Sequence, residues 1–268
     1  MTKKPKVELL ISTMDKKDIT DVQALHIQTE AVVVNQCDRD GCWEKETDGH
    51  HICWVDSSER GLSKSRNTAL DAARGDIVVL CDDDEEFVDD YQHIIFEAFE
   101  KHPRADLIAF QVEGIEREFK SYPQQGKKLN YLSSLSVSSV EIALRRESVT
   151  GKHIRFREEF GSGAKYKMGE ENIFLYDCLK NGLKIYYEPQ SIARLHMGDS
   201  SWFNGFDEKY FLDRGAVYYE LFGSVWGKMM LVVFAAKNYR RFKSEMPLAP
   251  ALKQMFEGFK ERKQFTKD

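Results

Sequence analysis

The chain has 268 residues, 42% hydrophobic and 31% charged, a balance typical of one soluble globular domain with room for an appendage. The formal net charge of −5 is uneven, because residues 226–268 hold 10 Lys and Arg against 4 Asp and Glu, whereas residues 1–225 carry −11. The acidic body and the lack of a nucleic-acid-binding motif argue against a nucleic-acid partner.

Sequence signals for export or membrane insertion are weak. The apolar run at residues 7–13 is too short for the core of a signal peptide. No run of 18 apolar residues predicts a helix that crosses a bilayer. The 5 cysteines are odd in number and scattered, which favours reduced thiols. The sequence therefore predicts a cytoplasmic protein.

The first half of the chain alternates short apolar runs with amphipathic segments. Buried strands are predicted at residues 7–13, 31–37, 76–81 and 106–112. Helices are predicted at residues 15–30, 61–75 and 88–103, and an Asp-Gly pair at residues 48–49 predicts a hairpin. This order predicts an α/β fold with a Rossmann-like, mostly parallel, doubly wound sheet.

Beyond residue 115 the pattern is less regular. Polar loops are expected at residues 121–139, a strand and short helix within 140–149, a helix at 169–182, and a strand at 183–189 that ends at Pro189. Two or three helices are expected from Phe206 onward. We therefore expect a main domain at residues 1–205, with halves at about 1–115 and 116–205, and a basic helical extension at residues 206–268.

Polar side chains stand at the ends of three predicted strands. These are Ser12 and Thr13, Asn35 and Gln36, and Asp82, Asp83 and Asp84. Because ligands of doubly wound sheets bind beyond the carboxyl ends of the strands, we expect these side chains to line one crevice.

The third strand leads directly into five acidic residues, 82–86. Carboxylates this close oppose one another's ionisation, so a positive partner is expected among them. Asp82 and Asp84 form a D-x-D pattern, and paired carboxylates suit Mg²⁺ or Mn²⁺ better than zinc. Such an ion would neutralise a nucleotide diphosphate. The alternative to a metal site is that these residues form a solvated loop or the start of a helix, since short acidic patterns recur by chance.

Two longer stretches carry a family resemblance. GLSKSRNTALDAARGDIVVLCDDDEEF, residues 61–87, resembles the donor-binding region of inverting family 2 glycosyltransferases, which have the GT-A fold. FGSGAKYKMGEENIFLYDCLKNGLKIYYEP, residues 160–189, is similar to the acceptor-side helix and strand of that family. The resemblance covers roughly residues 6–198, and NQCD at residues 35–38 is similar to bacterial capsule and exopolysaccharide enzymes.

The resemblance implies a role for each residue of a candidate site. Donor-binding residues would be Ser12, Thr13, Asp15, Gln36, Asp38, Arg66, Asp82 and Asp83. Mn²⁺ or Mg²⁺ would be bound by Asp84, Asp82 and His196. Glu171 stands where the family has its catalytic aspartate, and its neighbour Glu170 is the alternative base.

The implied reaction is a metal-dependent, inverting transfer of a sugar from a nucleotide sugar, in most cases a UDP-sugar. The metal would polarise the diphosphate, and Glu171 would take the proton of the attacking hydroxyl. The implied acceptor is a glycan or a polyprenyl-diphosphate-linked saccharide in bacterial surface polysaccharide synthesis. Glu171 replaces the usual aspartate, and the first strand ends in ISTMD, residues 11–15, instead of the usual turn.

Two other functions remain open. A sugar-phosphate nucleotidyltransferase has a similar sheet but needs a glycine-rich basic loop after the first strand, which ISTMDKKD at residues 11–18 lacks. A non-catalytic nucleotide-sugar-binding module docked at the membrane would not need the Glu170-Glu171 pair.

Residues 221–243 predict a basic amphipathic helix that contains Trp226. Such a helix suits a peripheral contact with anionic lipid at the cytoplasmic face of a membrane. In the alternative, the same apolar stripe packs on the main domain.

Overall fold

The structure, a computed structural model, describes residues 5–198 and 205–265. Its strands are β1 (Val7–Met14), β2 (Glu30–Gln36), β3 (Gly41–Thr47), β4 (His50–Ser57), β5 (Ile77–Asp82), β6 (Glu85–Phe87), β7 (Leu107–Gly114), β8 (Lys127–Lys128), β9 (Ile142–Arg145) and β10 (Ile185–Leu195). They form one sheet in the order β3-β4-β2-β1-β5-β9-β7-β10-β6, with β8 paired to β10. The predicted α/β class is confirmed.

The parallel part of the sheet is β4-β2-β1-β5. Its strands are apolar on both faces because helices cover both sides. In β1, Leu9 and Ile11 enter the core cluster on one face and Leu10 enters the cluster on the other. The predicted hairpin is β3-β4, and its turn residues Asp48 and Gly49 have φ of 51° and 81°. This is the left-handed conformation that such tight turns require.

The other part of the sheet is mixed instead of parallel. β9 lies antiparallel between β5 and β7, and β6 pairs antiparallel with β10. β10 also continues past Pro189, where the sequence analysis ended it. Its ladder with β7 is irregular between Tyr187 and Ser191, so the missing N–H of Pro189 interrupts no regular hydrogen bond.

The helices are α1 (Leu62–Ala72), α2 (Tyr91–Lys101), α3 (Arg146–Thr150), α4 (Glu170–Lys180), α5 (Glu208–Phe242) and α6 (Leu248–Phe265). The helix predicted at residues 15–30 is a short 3-10 helix, Ile19–Leu25, with Asp18 as its N-cap. Residues from α2 and this 3-10 helix pack on one face of the sheet, while residues from α1 and α4 pack on the other.

The two C-terminal helices pack on each other, and α5 also packs on α4. Val217 and Leu221, from the first part of α5, share a core cluster with Ile173 of α4. α5 is interrupted at Gly223, whose φ of 69° is not helical. By length and composition, α5 is the one helix among the described residues that could cross a membrane, although no uninterrupted 18-residue apolar run occurs in it.

Gly258 allows α5 and α6 to approach closely, because a Cβ there would lie 1.9 Å from the backbone oxygen of Leu212. We expect Gly258→Ala to lower the free energy of unfolding by about 1–3 kcal/mol through overpacking. Chemical denaturation measures this. Gly41→Ala is the control, because a Cβ at Gly41 meets nothing within 4 Å. Equal stability of the two variants would contradict the close approach.

Candidate active site

The carboxyl ends of β2, β1 and β5 lie side by side. The register pairs Ser12 of β1 with Asp82 of β5, and Thr13 of β1 with Asn35 of β2. All four residues are buried. The polar strand ends predicted to line one crevice are therefore neighbours in the structure.

The acidic run is accommodated by giving each carboxylate a different environment. Asp83 accepts a hydrogen bond from Thr13 Oγ1 at 2.6 Å and lies 3.2 Å from Lys16 Nζ. Glu85 turns inward and accepts the backbone N–H of Asp82 at 2.8 Å. Burial, with the nearby charge of Asp82, raises the pKa of Glu85 well above its usual range. The run is thus spread over a buried strand end and the cleft surface.

Arg66 of α1 is the positive partner of Asp82. Its Nη2 donates to both carboxylate oxygens of Asp82 at 3.0 and 3.3 Å and to Ser139 Oγ at 2.8 Å, and its Nη1 donates to Glu170 Oε1 at 3.2 Å. The side chain is only 1% exposed. Arg66, predicted to face the nucleotide, is instead enclosed by its partners, because a buried cation needs paired carboxylates.

Glu170 and Glu171 begin α4, where the helix dipole favours negative charge. Glu170 is held by Arg66, whereas Glu171 is partly exposed. Desolvation of the Glu171 carboxyl group raises its pKa to about 8. The charge of Glu170 also raises this pKa, whereas Arg66 lowers it. Gly161 lies against Glu170, so that a Cβ there would be 3.1 Å from the Glu170 carboxyl carbon.

Asp84 is the residue best suited to a divalent cation. Its Oδ1 is buried without a hydrogen-bond partner, and burial, then Asp82 and Asp83, raise the pKa of Asp84 to about 6. His196 follows β10 and donates its backbone N–H to the Asp84 carbonyl at 2.9 Å. The His196 Nδ1 lies 3.1 Å from Glu116 Oε1.

Within residues 5–198 and 205–265, no group of three or more His, Cys, Asp and Glu side chains is close enough to hold a metal by itself. Mg²⁺-type sites are commonly completed by substrate phosphates around one or two carboxylates. The orphaned oxygen of Asp84 beside Asp82 therefore fits an ion that arrives with a diphosphate.

Arg60, which the sequence analysis missed, organises the first two strand ends. Its guanidinium donates to Asp15 at 3.2 Å, to Asp38 at 3.0 Å and to the Gln36 carbonyl at 2.7 Å. The side chain of Gln36 accepts the backbone N–H of Gly61 at 2.6 Å. Three residues predicted to bind the donor are thus joined by one cation, which precedes the recognisable Gly-Leu-Ser motif.

A buried carboxylate supports this side of the crevice. Asp56 accepts hydrogen bonds from Asn35 at 2.7 Å, Trp54 Nε1 at 2.8 Å and Arg39 Nε at 2.6 Å. Burial alone would raise the pKa of Asp56, but these bonds hold it at about 2. Asn35 in turn accepts the backbone N–H of Lys16 at 2.9 Å, which fixes the turn after β1.

On the other side of α4, three aromatic rings form a connected row. The Tyr131 and Tyr176 rings meet edge to face at 5.0 Å, and the Tyr176 and Phe222 rings at 5.8 Å. Tyr131 and the neighbouring Leu132 are exposed. This row connects the exposed Tyr131 through Tyr176 of α4 to α5.

An acidic strand end in a Rossmann-like sheet, facing a carboxylate pair at a helix start, defines the class of GT-A-fold transferases. The model of glycosyl transferase family 2 matches residues 19–169, more than half of the chain, and the chain belongs to this family. It is a glycosyltransferase, so the nucleotidyltransferase and non-catalytic alternatives are set aside. No curated protein sequence matches the chain significantly.

Solved structures agree on the fold. S. aureus TarS 1–349 in complex with UDP-GlcNAc is 16% identical, with a TM-score of 0.61 over 90% of this chain and 74% of that one. The same protein with UDP has a TM-score of 0.62 at 15% identity, over 96% and 82%. The mannosyltransferase PcManGT from Pyrobaculum calidifontis, with GDP-Man and Mn²⁺, has a TM-score of 0.52 at 12% identity, over 100% and 89%.

Proposed function

We propose that the protein is a metal-dependent, inverting glycosyltransferase that transfers a sugar from a UDP-sugar to a hydroxyl of a saccharide acceptor. One observation carries this proposal. The buried Arg66 joins Asp82 of the D-x-D pattern to Glu170 at the start of α4, with contacts of 3.0 and 3.2 Å. The donor side and the proton-accepting side of the site are therefore held as one rigid unit.

Glu171 is the general base of this proposal, because it is the member of the pair that remains available. As a residue it is partly accessible, and desolvation of its carboxyl group raises the pKa of Glu171 to about 8. A base whose pKa lies near the working pH takes a hydroxyl proton most effectively. Glu170 is a positioning residue, because its carboxylate is committed to Arg66.

Asp84 and Asp82 would hold Mn²⁺ or Mg²⁺, with His196 beside them. When bound, the ion would lower the energy of the departing diphosphate by neutralising its charge. The orphaned Asp84 oxygen supports this assignment. The backbone N–H of His196 is bonded to the Asp84 carbonyl, and the contact of its Nδ1 with Glu116 leaves Nε2 as the ring nitrogen that would bind the ion.

The chemical step is one displacement. A lone pair of the acceptor hydroxyl forms the new bond to the anomeric carbon from the face opposite the nucleotide. The bond from that carbon to the diphosphate oxygen breaks, and its electron pair leaves with the nucleoside diphosphate. Glu171 takes the hydroxyl proton. Because the attack is from the opposite face, the configuration inverts and no covalent sugar intermediate is needed.

The strand ends of β1 and β2 are proposed to receive the nucleoside. Arg60 positions Asp15, Asp38 and Gln36 there, and Ser12, Thr13 and Asp83 line the path toward the diphosphate. A uridine nucleotide is supported by the fold shared with TarS, whose structure contains UDP-GlcNAc, and divalent metal use by PcManGT, whose structure contains Mn²⁺.

The proposed acceptor is a glycan or a polyprenyl-diphosphate-linked saccharide of a bacterial surface polysaccharide, extended in the cytoplasm at the membrane face. The exposed Tyr131 and Leu132 support a saccharide acceptor, because exposed aromatic and apolar side chains suit the faces of a sugar ring. The peripheral membrane contact would be made through residues 221–243.

Asp84→Asn tests the metal and donor assignments. We expect the wild type to release nucleotide slowly from one member of a panel of UDP-, GDP- and dTDP-sugars with Mn²⁺ and not with EDTA. The rate of nucleotide release with Mn²⁺ should fall about 100-fold or more in the variant, because the ion loses a carboxylate ligand. Asp89→Asn is the matched control, since Asp89 is exposed outside the crevice. Activity of the wild type that persists in EDTA would contradict metal dependence.

A further inference from the structure

The second part of α5 exposes an apolar stripe. Val225 is 75% exposed and Trp226 is 64% exposed, and three further residues of the stripe, Met229, Val232 and Val233, are about half exposed. Their spacing places them on one side of a helix. A stripe of this kind on a soluble surface marks a contact with another apolar partner.

The same helix has a separate face that packs on its own chain. Leu231 and Ala235 are buried in a cluster with Met255 and Phe259 of α6. The exposed stripe is therefore additional to the packing face, and no residue in the described ranges buries it. Gly223 interrupts α5 just before the stripe, so the stripe begins a helical segment of its own.

Cations surround and follow the stripe. From Gly223 to Lys243 the chain has no Asp or Glu. The exposed cations in this segment are Lys228, Lys237, Arg240, Arg241 and Lys243. The last four follow the apolar turns along the helix, which gives an apolar surface that continues into a strongly positive one.

We propose that Val225–Lys243 is a docking surface for an anionic lipid bilayer, with the apolar stripe in the interface and the cations among the headgroups. Charge selects this occupant over a second copy of the chain, because pairing two such surfaces would bring ten cations together without a counter-charge. Packing of α5 on α6 and α4 favours a helix that lies in the interface over one that spans the bilayer.

The docking surface adjoins the acceptor side of the site. Phe222, directly before the stripe, contacts Tyr176 of α4, which contacts the exposed Tyr131. Docking would thus place Tyr131 and this side of α4 near the lipid headgroups. This orientation rests on the proposed function, since it serves an acceptor saccharide anchored in the same membrane; lipid binding itself does not rest on it.

Sedimentation of the full chain with vesicles tests the proposal without donor or acceptor. We expect at least tenfold stronger binding to vesicles of phosphatidylcholine with 30% phosphatidylglycerol than to phosphatidylcholine alone, weakened by salt. Two triple variants should each bind these vesicles at least tenfold more weakly than the wild type. One combines Trp226→Ser, Met229→Ser and Val233→Ser, and the other combines Lys237→Gln, Arg240→Gln and Arg241→Gln.

The matched control replaces three exposed cations far from α5 in sequence, Lys45, Arg104 and Lys152, with glutamine and should bind like the wild type. If this control lost as much vesicle binding as the docking variants, the binding would depend only on net charge, and the proposal would be overturned. A wild type that does not bind the vesicles would also overturn the proposal. The same holds if the wild type self-associates through the stripe and does not bind lipid. Donor hydrolysis in vesicle-free buffer should be unchanged in both docking variants, which keeps a failure of docking distinct from a failure of the proposed function.

Discussion

Glu171→Gln should reduce the rate of sugar transfer by about 10²–10⁴-fold, the range typical for loss of a general base. The amide has nearly the same shape as the carboxyl group but cannot take the acceptor proton. Donor affinity measured by calorimetry should stay within a few-fold, because Asp82 and Asp84 remain in place. A loss of donor affinity equal to the loss of rate would show that Glu171 binds the donor.

The pH dependence provides an independent check of the same residue. Burial raises the pKa of Glu171 to about 8, so most molecules hold a protonated Glu171 at neutral pH. A general base must be deprotonated, so kcat/KM should rise with pH and level off above about 8. The residual activity of Glu171→Gln should lack this rise. A wild-type profile that falls as pH increases across this range would contradict the assignment.

Stability separates chemistry from misfolding in that variant. The pKa of Glu171 is higher in the folded chain than the ordinary value of 4.5, so its protonated form is favoured by folding. Its favourable contribution is complete below the unfolded pKa and is lost as pH rises toward about 8. Glu171→Gln should therefore be at least as stable as the wild type at pH 9. An inactive but stabilised variant would locate the defect in the reaction.

Glu170→Gln distinguishes the two members of the pair. Glu170 accepts a hydrogen bond from Arg66, and an amide oxygen can still accept one, although without the charge. The expected loss of rate is about tenfold, and kcat/KM should still rise with pH because Glu171 is intact, but the rise should move to lower pH because the charge of Glu170 no longer raises the pKa of Glu171. A large loss with a flat pH profile in Glu170→Gln, and not in Glu171→Gln, would exchange the two roles.

Local patterns explain what could be predicted of the fold. β1, β2 and β5 are short apolar runs that end in polar residues, and their observed ends lie within one or two residues of the predicted ones. Where a single local signal was given too much weight, the prediction failed. Pro189 does not end β10, because the strand ladder is already irregular there. Helical spacing at residues 15–30 corresponds to only seven residues of 3-10 helix.

Part of the candidate site could also be predicted from local patterns, and part could not. Motifs place the acidic strand end and the Glu170-Glu171 pair, because each lies within one segment of the chain. Contacts between segments could not be predicted from spacing. Arg66 and Glu170 are 104 positions apart, and Arg60 meets Asp15 across 45 positions. Arg60 directly precedes the motif at residues 61–87 and Arg66 lies within it, yet only the fold decides that Arg66 is enclosed and Arg60 is partly exposed.

Arg66→Met should be the most destabilising single change in the site, at about 3–5 kcal/mol in the free energy of unfolding, the cost typical of removing one partner of a buried ion pair. Methionine fills much of the same volume, so the loss is chiefly electrostatic. Asp82 and Glu170 would remain buried without their common cation, and Ser139 would lose its donor. Urea denaturation followed by circular dichroism measures the change.

Arg155→Met provides the control for this variant. Arg155 makes an equally well-formed pair with Asp71, at 2.6 and 2.7 Å, but both side chains are about half exposed. Exposed pairs contribute about 0–1 kcal/mol, so this variant should be nearly neutral. If both variants cost the same, the burial of Arg66 would have no energetic consequence, and its role as the link between the two carboxylates would fail.

Arg66→Lys separates charge from geometry. A lysine keeps the positive charge but is a single point donor, and it cannot reproduce the planar fork that contacts Asp82, Ser139 and Glu170 together. We expect it to recover part of the stability lost in Arg66→Met while transfer remains at least tenfold slow. That outcome would mean that the site needs the spacing imposed by the guanidinium as well as its charge. Full recovery of the rate by lysine would show that charge alone suffices.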